Sequence, residues 1–208
     1  MPSTVEEVFA GAGLRPGGVV AWGAPVQQTL AGVYIVAMDA RIDGLDGAQS
    51  SCPLDPERLE GLLRLRPALQ IDGRPPSAEE LGARLASFWL PDETVLYIGL
   101  AGRSLRGRVG QYYGTRLGAR RPHAGGWWVK TLDEGLELAV HWARTDNHRG
   151  DEKEMLRTFA ASVSANGRAG LPDKEQVAPF ANLRDGKDRV KRHHIRGATG
   201  ETTSPPRP

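Results

Sequence analysis

Residues 32–38 (GVYIVAM) form a short, β-branched and almost wholly apolar run entered from the turn-like Gln27–Gln28 region, the pattern of a buried strand. Residues 94–99 (TVLYIG) repeat that pattern, preceded by Pro91 and followed by a glycine turn at Ala101–Gly102. Between the two runs the apolar positions change period. Residues 39–53 turn to Asp, Gly and Ser, and two helix starts follow. Asp55 caps and Pro56 takes the first helical position before Leu59, Leu62 and Leu63, and Ser77 with Glu80 makes a capping box before Leu81, Leu85 and Phe88. A helical insertion over 39–93 between the two strands is the expectation.

Beyond the second strand, Ser104 caps a helix whose Leu105, Val109 and Tyr112 fall on one apolar face, with Arg108 and Tyr112 four apart on a shared side. Gly107 and Gly110 weaken that helix. Residues 127–132 (WWVKTL) and 136–142 (LELAVHW) alternate around Asp133-Glu134-Gly135 and read as a hairpin, with one of Trp127 and Trp128 inward and the other available as a stacking surface. Asp151 and Glu154 have capping-box spacing ahead of Met155, Leu156 and Phe159. Residues 166–177 read as a loop and 179–183 as an extended segment. Residues 1–28, rich in Gly and Pro with a short helix near 4–10, read as an arm, and 197–208 as a disordered tail.

Composition adds bounds. A chain of 208 residues holds one core with embellishments, and 26 Gly with 15 Pro make it loop-rich. No apolar stretch is long enough to span a membrane, and Glu6 and Glu7 sit where a signal peptide carries positive charge, so a soluble, cytoplasmic protein is expected. Cys52 is the single cysteine, which excludes an internal disulfide and a multi-cysteine zinc site.

Net charge is only +2, but it is unevenly placed. No acidic residue lies between Glu93 and Asp133, while Arg103, Arg106, Arg108, Arg116, Arg120, Arg121 and Lys130 do. A second basic run, 184–196, includes Lys191, Arg192 and the pair His193–His194. Two such runs on a near-neutral chain suggest a face for a polyanion. Strand-borne tyrosines beside a glycine turn, a basic helix and a carboxylate at a later helix start are the parts that phosphodiester hydrolysis needs: a water to activate, a cation for the phosphate, help for the leaving oxygen.

At these residues the chain resembles the GIY-YIG nucleases. Gly32-Val33-Tyr34 and Tyr97-Ile98-Gly99 are similar to the two signature tripeptides, the first with Val for Ile. Leu105, Arg108 and Tyr112 reproduce the family's downstream helix turn, Glu152 has apolar residues at +3, +4 and +7 (Met155, Leu156, Phe159), and Pro179 with Asn182 matches a Pro-x-x-Asn. The same offsets fit Glu154 poorly, which selects Glu152. The family's connection between signature strands is shorter than 39–93, its glutamate-to-asparagine spacing is also shorter, and its basic residue just after the second tripeptide is Leu100 here, a contact Arg103 could take over.

The resemblance implies an α+β fold, a small mixed or antiparallel sheet flanked by helices, and a nuclease domain over 29–196. It further implies a divalent-metal-dependent endonuclease using one Mg²⁺ or Mn²⁺ held by Glu152, on DNA, double-stranded rather than RNA. Arg108 would contact the scissile phosphate, Tyr34 would act on the attacking water as base or orienter, Tyr97 and Tyr112 would position water and phosphate, and Asn182 would brace the site. His123 is either a proton-transfer or phosphate group or a turn histidine. The basic residues Arg103, Arg106, Arg116, Arg120, Arg121, Lys130, Lys191 and Arg192 would bind nucleic acid, and the insertion is a place for specificity or a homodimer contact. A restriction-type or phage-defence nuclease is the biological expectation. The alternative is a non-catalytic nucleic-acid-binding module on the same scaffold.

Overall fold

A computed structural model of the chain describes residues 2–119, 121–122 and 126–199. Four antiparallel strands form the main sheet in the order β1-β5-β2-β4: β1 Gly18–Ala21, β2 Gly32–Ala37, β4 Val95–Ala101 and β5 Ala139–Arg144. The fold is α+β, as expected, and its sheet is antiparallel throughout. All six residues of β2 are buried, which is why its sequence is apolar without alternation: both faces of the strand are covered.

One face carries Val33, Ile35 and Ile98 against α1 (Val5–Gly11) and α5 (His148–Ser162). Those helices approach so closely that a Cβ on Gly11 would stand within about 2.0 Å of Thr158 Oγ1. The other face carries Tyr34, Val36 and Tyr97 against α2 (Pro56–Leu65), α3 (Ala78–Ala86) and α4 (Leu105–Gly114). The predicted caps form as read: Asp55 accepts from Glu57 N, Ser77 and Glu80 bond reciprocally, and Ser104 accepts from Gly107 N.

The insertion is therefore a layer of the core, not an appendage. Leu59, Leu62, Leu81 and Leu85 are buried, and β3 (Gln70–Ile71) pairs with β6 (Ile195–Arg196) to fasten the insertion to the C-terminal segment. The short α6 spans Ala165–Ala169 and overlaps the start of the stretch 166–177 read as loop.

Four other expectations need correction. Residues 1–28 are not an arm: α1 packs on α5, and β1 pairs along β5 from Gly18↔Trp142 to Ala21↔Ala139. The hairpin does not form, because Trp127–Thr131 is a 3₁₀ helix and β5 pairs instead with β1 and β2. Both Trp127 and Trp128 are buried, so neither is a stacking surface; Trp128 sits edge-on to Phe88, Phe180 and His193. Aromatic burial in the core outweighs the local alternation. Finally, α5 starts at His148 after Asn147, three residues earlier than the presumed cap. Asp151 lies within its first turn, accepting from Thr145 Oγ1 (2.6 Å) and Asn147 Nδ2 (3.0 Å), while Glu154 is exposed and paired with Arg157.

Among the described residues no helix is long and apolar enough to cross a membrane. Of the tail, Gly197–Thr199 is described, with Ala198 buried; 200–208 lie outside the described residues.

Candidate active site

Tyr34 and Tyr97 lie on the adjacent strands β2 and β4, on the same face, in spite of the long insertion between them in sequence. The register sets Tyr34 opposite Gly99 and Val36 opposite Tyr97, so the rings are diagonal neighbours with centroids 5.9 Å apart. Gly99 makes that possible. A Cβ there would stand 2.5 Å from the Tyr97 ring and 2.8 Å from Cζ of Tyr34, and the Tyr34 phenol occupies the space instead. Gly32 is fixed in a similar way, since a Cβ would meet the Ala143 carbonyl oxygen at 2.2 Å and Leu105 at 2.7 Å. Each glycine of the two tripeptides thus has a packing reason.

Helix α4 supplies the third ring. Tyr112 packs edge-on to Tyr97 with centroids 5.3 Å apart and donates its hydroxyl proton to Gly126 O (2.6 Å). One turn earlier on the same helix, Arg108 is half-buried and its positive charge acts on Tyr34, Tyr97 and Glu152. Glu152, from the first turns of α5, in turn acts on Tyr97. The two strands, α4 and α5 thereby bring Tyr34, Tyr97, Tyr112, Arg108 and Glu152 together.

Protonation follows from burial. The Tyr34 phenol is held well above its ordinary range by desolvation and by Tyr97 and Tyr112, which outweigh the Arg108 charge. Tyr97, hydrogen-bonded to Tyr34, is pushed up to about 12 by burial and by Glu152. A phenolate base at Tyr34, one of the two roles expected for it, is disfavoured in this geometry, and a neutral orienting hydroxyl is favoured. Burial and the Asp188 carboxylate push Glu152 up to about 7, against Arg108, Lys153 and Arg149.

Asn182 is buried behind the strand that bears Tyr97. Its Oδ1 accepts from Ile98 N (2.9 Å) and its Nδ2 donates to Ile98 O (2.8 Å), which completes the outer edge of β4, while Ala181 N donates to Leu96 O (2.9 Å). It positions a strand and does not reach into the tyrosine cluster.

Among the described residues no group of three His, Cys, Asp or Glu is arranged to hold a metal. A magnesium-like ion needs less: it keeps several waters and takes one or two carboxylates with phosphate oxygens. The half-buried Glu152, beside an arginine and a phenol, fits that donor pattern as a single carboxylate. Cation binding would displace its proton.

The basic residues separate into two groups. Arg103, Arg116, Arg121 and Arg192 are exposed. Lys191, expected on nucleic acid, is buried: its Nζ donates to Pro179 O and Phe180 O and lies 4.8 Å over the Trp128 ring. Lys130 is half-buried and spends its ammonium on Tyr113 O and Thr115 O, and Arg106 is bonded to Val26 O and Gln27. His193 is half-buried, accepting from Ile195 N and pushed down to about 4 by burial, whereas His194 is exposed. Arg120 and His123 lie outside the described residues.

The sequence reading missed His148 and Arg149. They precede Glu152 by four and three on α5, and His148 Nε2 would stand 3.4 Å from a Cβ on Gly102, in the turn after β4. The i, i+3/i+4 spacing from Glu152 was the signal, hidden because the helix start was placed at Asp151. Comparison with family models, with curated proteins and with solved structures finds no match to the chain.

Proposed function

We propose that the chain is a divalent-metal-dependent endonuclease of the GIY-YIG type, hydrolysing phosphodiester bonds in DNA. The observation that carries this reading is the convergence of Tyr34 and Tyr97, distant in sequence, on adjacent strands beside Arg108 and Glu152. A chance pair of Gly-apolar-Tyr tripeptides has no reason to meet around a shared arginine and carboxylate.

In this reading Arg108 donates to the scissile phosphate, where a planar guanidinium offers two parallel hydrogen bonds. Tyr34, neutral and hydrogen-bonded to Tyr97, orients the attacking water by accepting or donating at its hydroxyl. Tyr97 and Tyr112 fix that phenol from the side. Glu152 holds the cation, and a bound Mg²⁺ or Mn²⁺ supplies Lewis-acid polarisation of a phosphate oxygen and offsets developing charge. Exposed Arg103, Arg116 and Arg121, with Arg149 beside Glu152, provide the charge that a duplex backbone requires. A restriction-type or phage-defence role is the biological setting we assign to it.

The deciding assay is nicking of supercoiled plasmid with and without Mg²⁺, wild type beside Glu152→Gln. Mg²⁺-dependent nicking that disappears in the variant, with DNA binding retained, is the expected result. Cleavage that survives the substitution sinks the assignment. DNA binding without any cleavage by the wild type would favour a non-catalytic nucleic-acid-binding module.

A further inference from the structure

A concave site lies beyond the tyrosine cluster. It is a cavity of about 720 Å³ between the turn after β1, the C-terminal end of α4, and residues 129–138. Its walls are Trp22, Tyr113, Leu117, Leu136 and Leu138, all of which are partly exposed side chains packed on the rim of the tyrosine-face core. Trp22 stands edge-on to Tyr112 at 5.1 Å and to Tyr113 at 4.9 Å, so it separates this cavity from the candidate active site by the thickness of one ring.

The polar groups are few and they differ in availability. Arg58 and Glu134 are paired with each other at the rim, and Asp133 accepts from Gly135 N, so those charges are engaged. Arg116 is exposed and has no ion pair among the described residues. Lys130 uses two of its three N–H groups on Tyr113 O and Thr115 O and retains a third. The Tyr113 hydroxyl is buried beside the Gly23 backbone. Aromatic and aliphatic walls with a small set of cationic donors and one buried phenol match a flat heteroaromatic ring that carries an anion. They do not match an inorganic anion, for which the apolar walls are useless, or a lipid tail, for which the cations are.

We propose that this cavity binds one unstacked nucleobase together with its attached phosphate, the base against Trp22 and the leucines and the phosphate toward Arg116. Base–aromatic stacking is worth about 1–3 kcal/mol per base, enough to hold a base already out of its stack. As a subsite for a strand the proposal rests on the nuclease reading. Binding of a base with its phosphate does not.

The test uses the Trp indole N–H signals of the full chain. Titration with 5′-deoxyadenylate is expected to shift the Trp22 signal, assigned with Trp22→Phe, while Trp89, Trp127, Trp128 and Trp142 stay in place. Arg116→Ala should weaken the nucleotide by roughly tenfold but leave deoxyadenosine unchanged. Leu136→Glu, or Leu117→Glu if the first disturbs the four other indoles, should abolish both. No Trp22 response, or an equal response to inorganic phosphate alone, overturns the proposal. A second arm compares a fully paired duplex with one carrying a single extrahelical adenine, on Glu152→Gln protein. Several-fold tighter binding of the bulged duplex, lost in Leu136→Glu, assigns the site to a strand; a nucleotide response without that preference assigns it to free mononucleotide. No Mg²⁺-dependent cleavage by the wild-type protein, with an intact Trp22 response, would remove the nuclease reading and leave the base site standing.

Discussion

At the residue scale the site is a problem of where a Cβ and a proton can be placed. Gly99 is open to Tyr34 because it has no side chain, so Gly99→Ala should push both phenols off their positions and cost about 1–3 kcal/mol by overpacking. Denaturant midpoints measure the stability loss, and a larger loss of nicking than of stability would mark the displaced rings. Glu152 carries the complementary cost. Its carboxyl is raised from 4.5 to about 7 in the native state, so the folded protein retains a proton that the unfolded chain releases over that window. Stability from this group is present below pH 4.5 and is lost as pH rises to about 7. Glu152→Gln should therefore raise the melting temperature at pH 8, by about 1–3 kcal/mol of free energy, with the difference vanishing near pH 4. The same titration competes with the cation: the apparent Mg²⁺ affinity should fall as pH drops below about 7, where the ligand protonates. A variant that is less stable than wild type at pH 8 would contradict the buried, repelled carboxylate.

At the element scale, the edges and termini decide what the strands can present. Asn182 stands in for a missing neighbour strand at β4, pairing both backbone groups of Ile98. Asn182→Ala leaves a donor and an acceptor unpaired beneath Tyr97 and should cost about 1–3 kcal/mol, with faster hydrogen exchange at the Ile98 amide as the direct readout. Lys191 holds the same segment from the other side through Pro179 O and Phe180 O. Burial lowers its ammonium to about 7 from 10.5, so the native state binds fewer protons than the unfolded chain between those values. The penalty is complete below pH 7 and fades as pH rises to 10.5; a neutral amine still has two N–H groups for the two carbonyls. The caps at Asp55, Ser77 and Ser104 were legible because each is a local bond over three residues or fewer. The start of α5 was not, because Asp151 bonds backwards to Thr145 and Asn147 from inside the first turn.

At the scale of the whole molecule, charge and layering matter together. Duplex binding should weaken steeply with salt, and Arg103→Glu and Arg149→Glu should each reduce the slope of log affinity against log salt by about 1. Lys191→Met should destabilise the fold and leave that slope unchanged, because its ammonium faces carbonyls and rings and not solvent. Equal slopes for all three variants would argue against an arginine face beside Glu152. The amino-acid sequence by itself determined the two apolar strands, three of the helix starts, and the order of the candidate site residues, since apolar period and capping are encoded within a few neighbouring positions. Only the tertiary structure decided that residues 18–21 pair with β5, that Trp127–Thr131 coils inward, that the insertion forms a core layer, and that Lys191 is interior. Those outcomes depend on which distant surfaces are available to cover an apolar ring or satisfy a backbone edge, and that availability exists only once the sheet has formed.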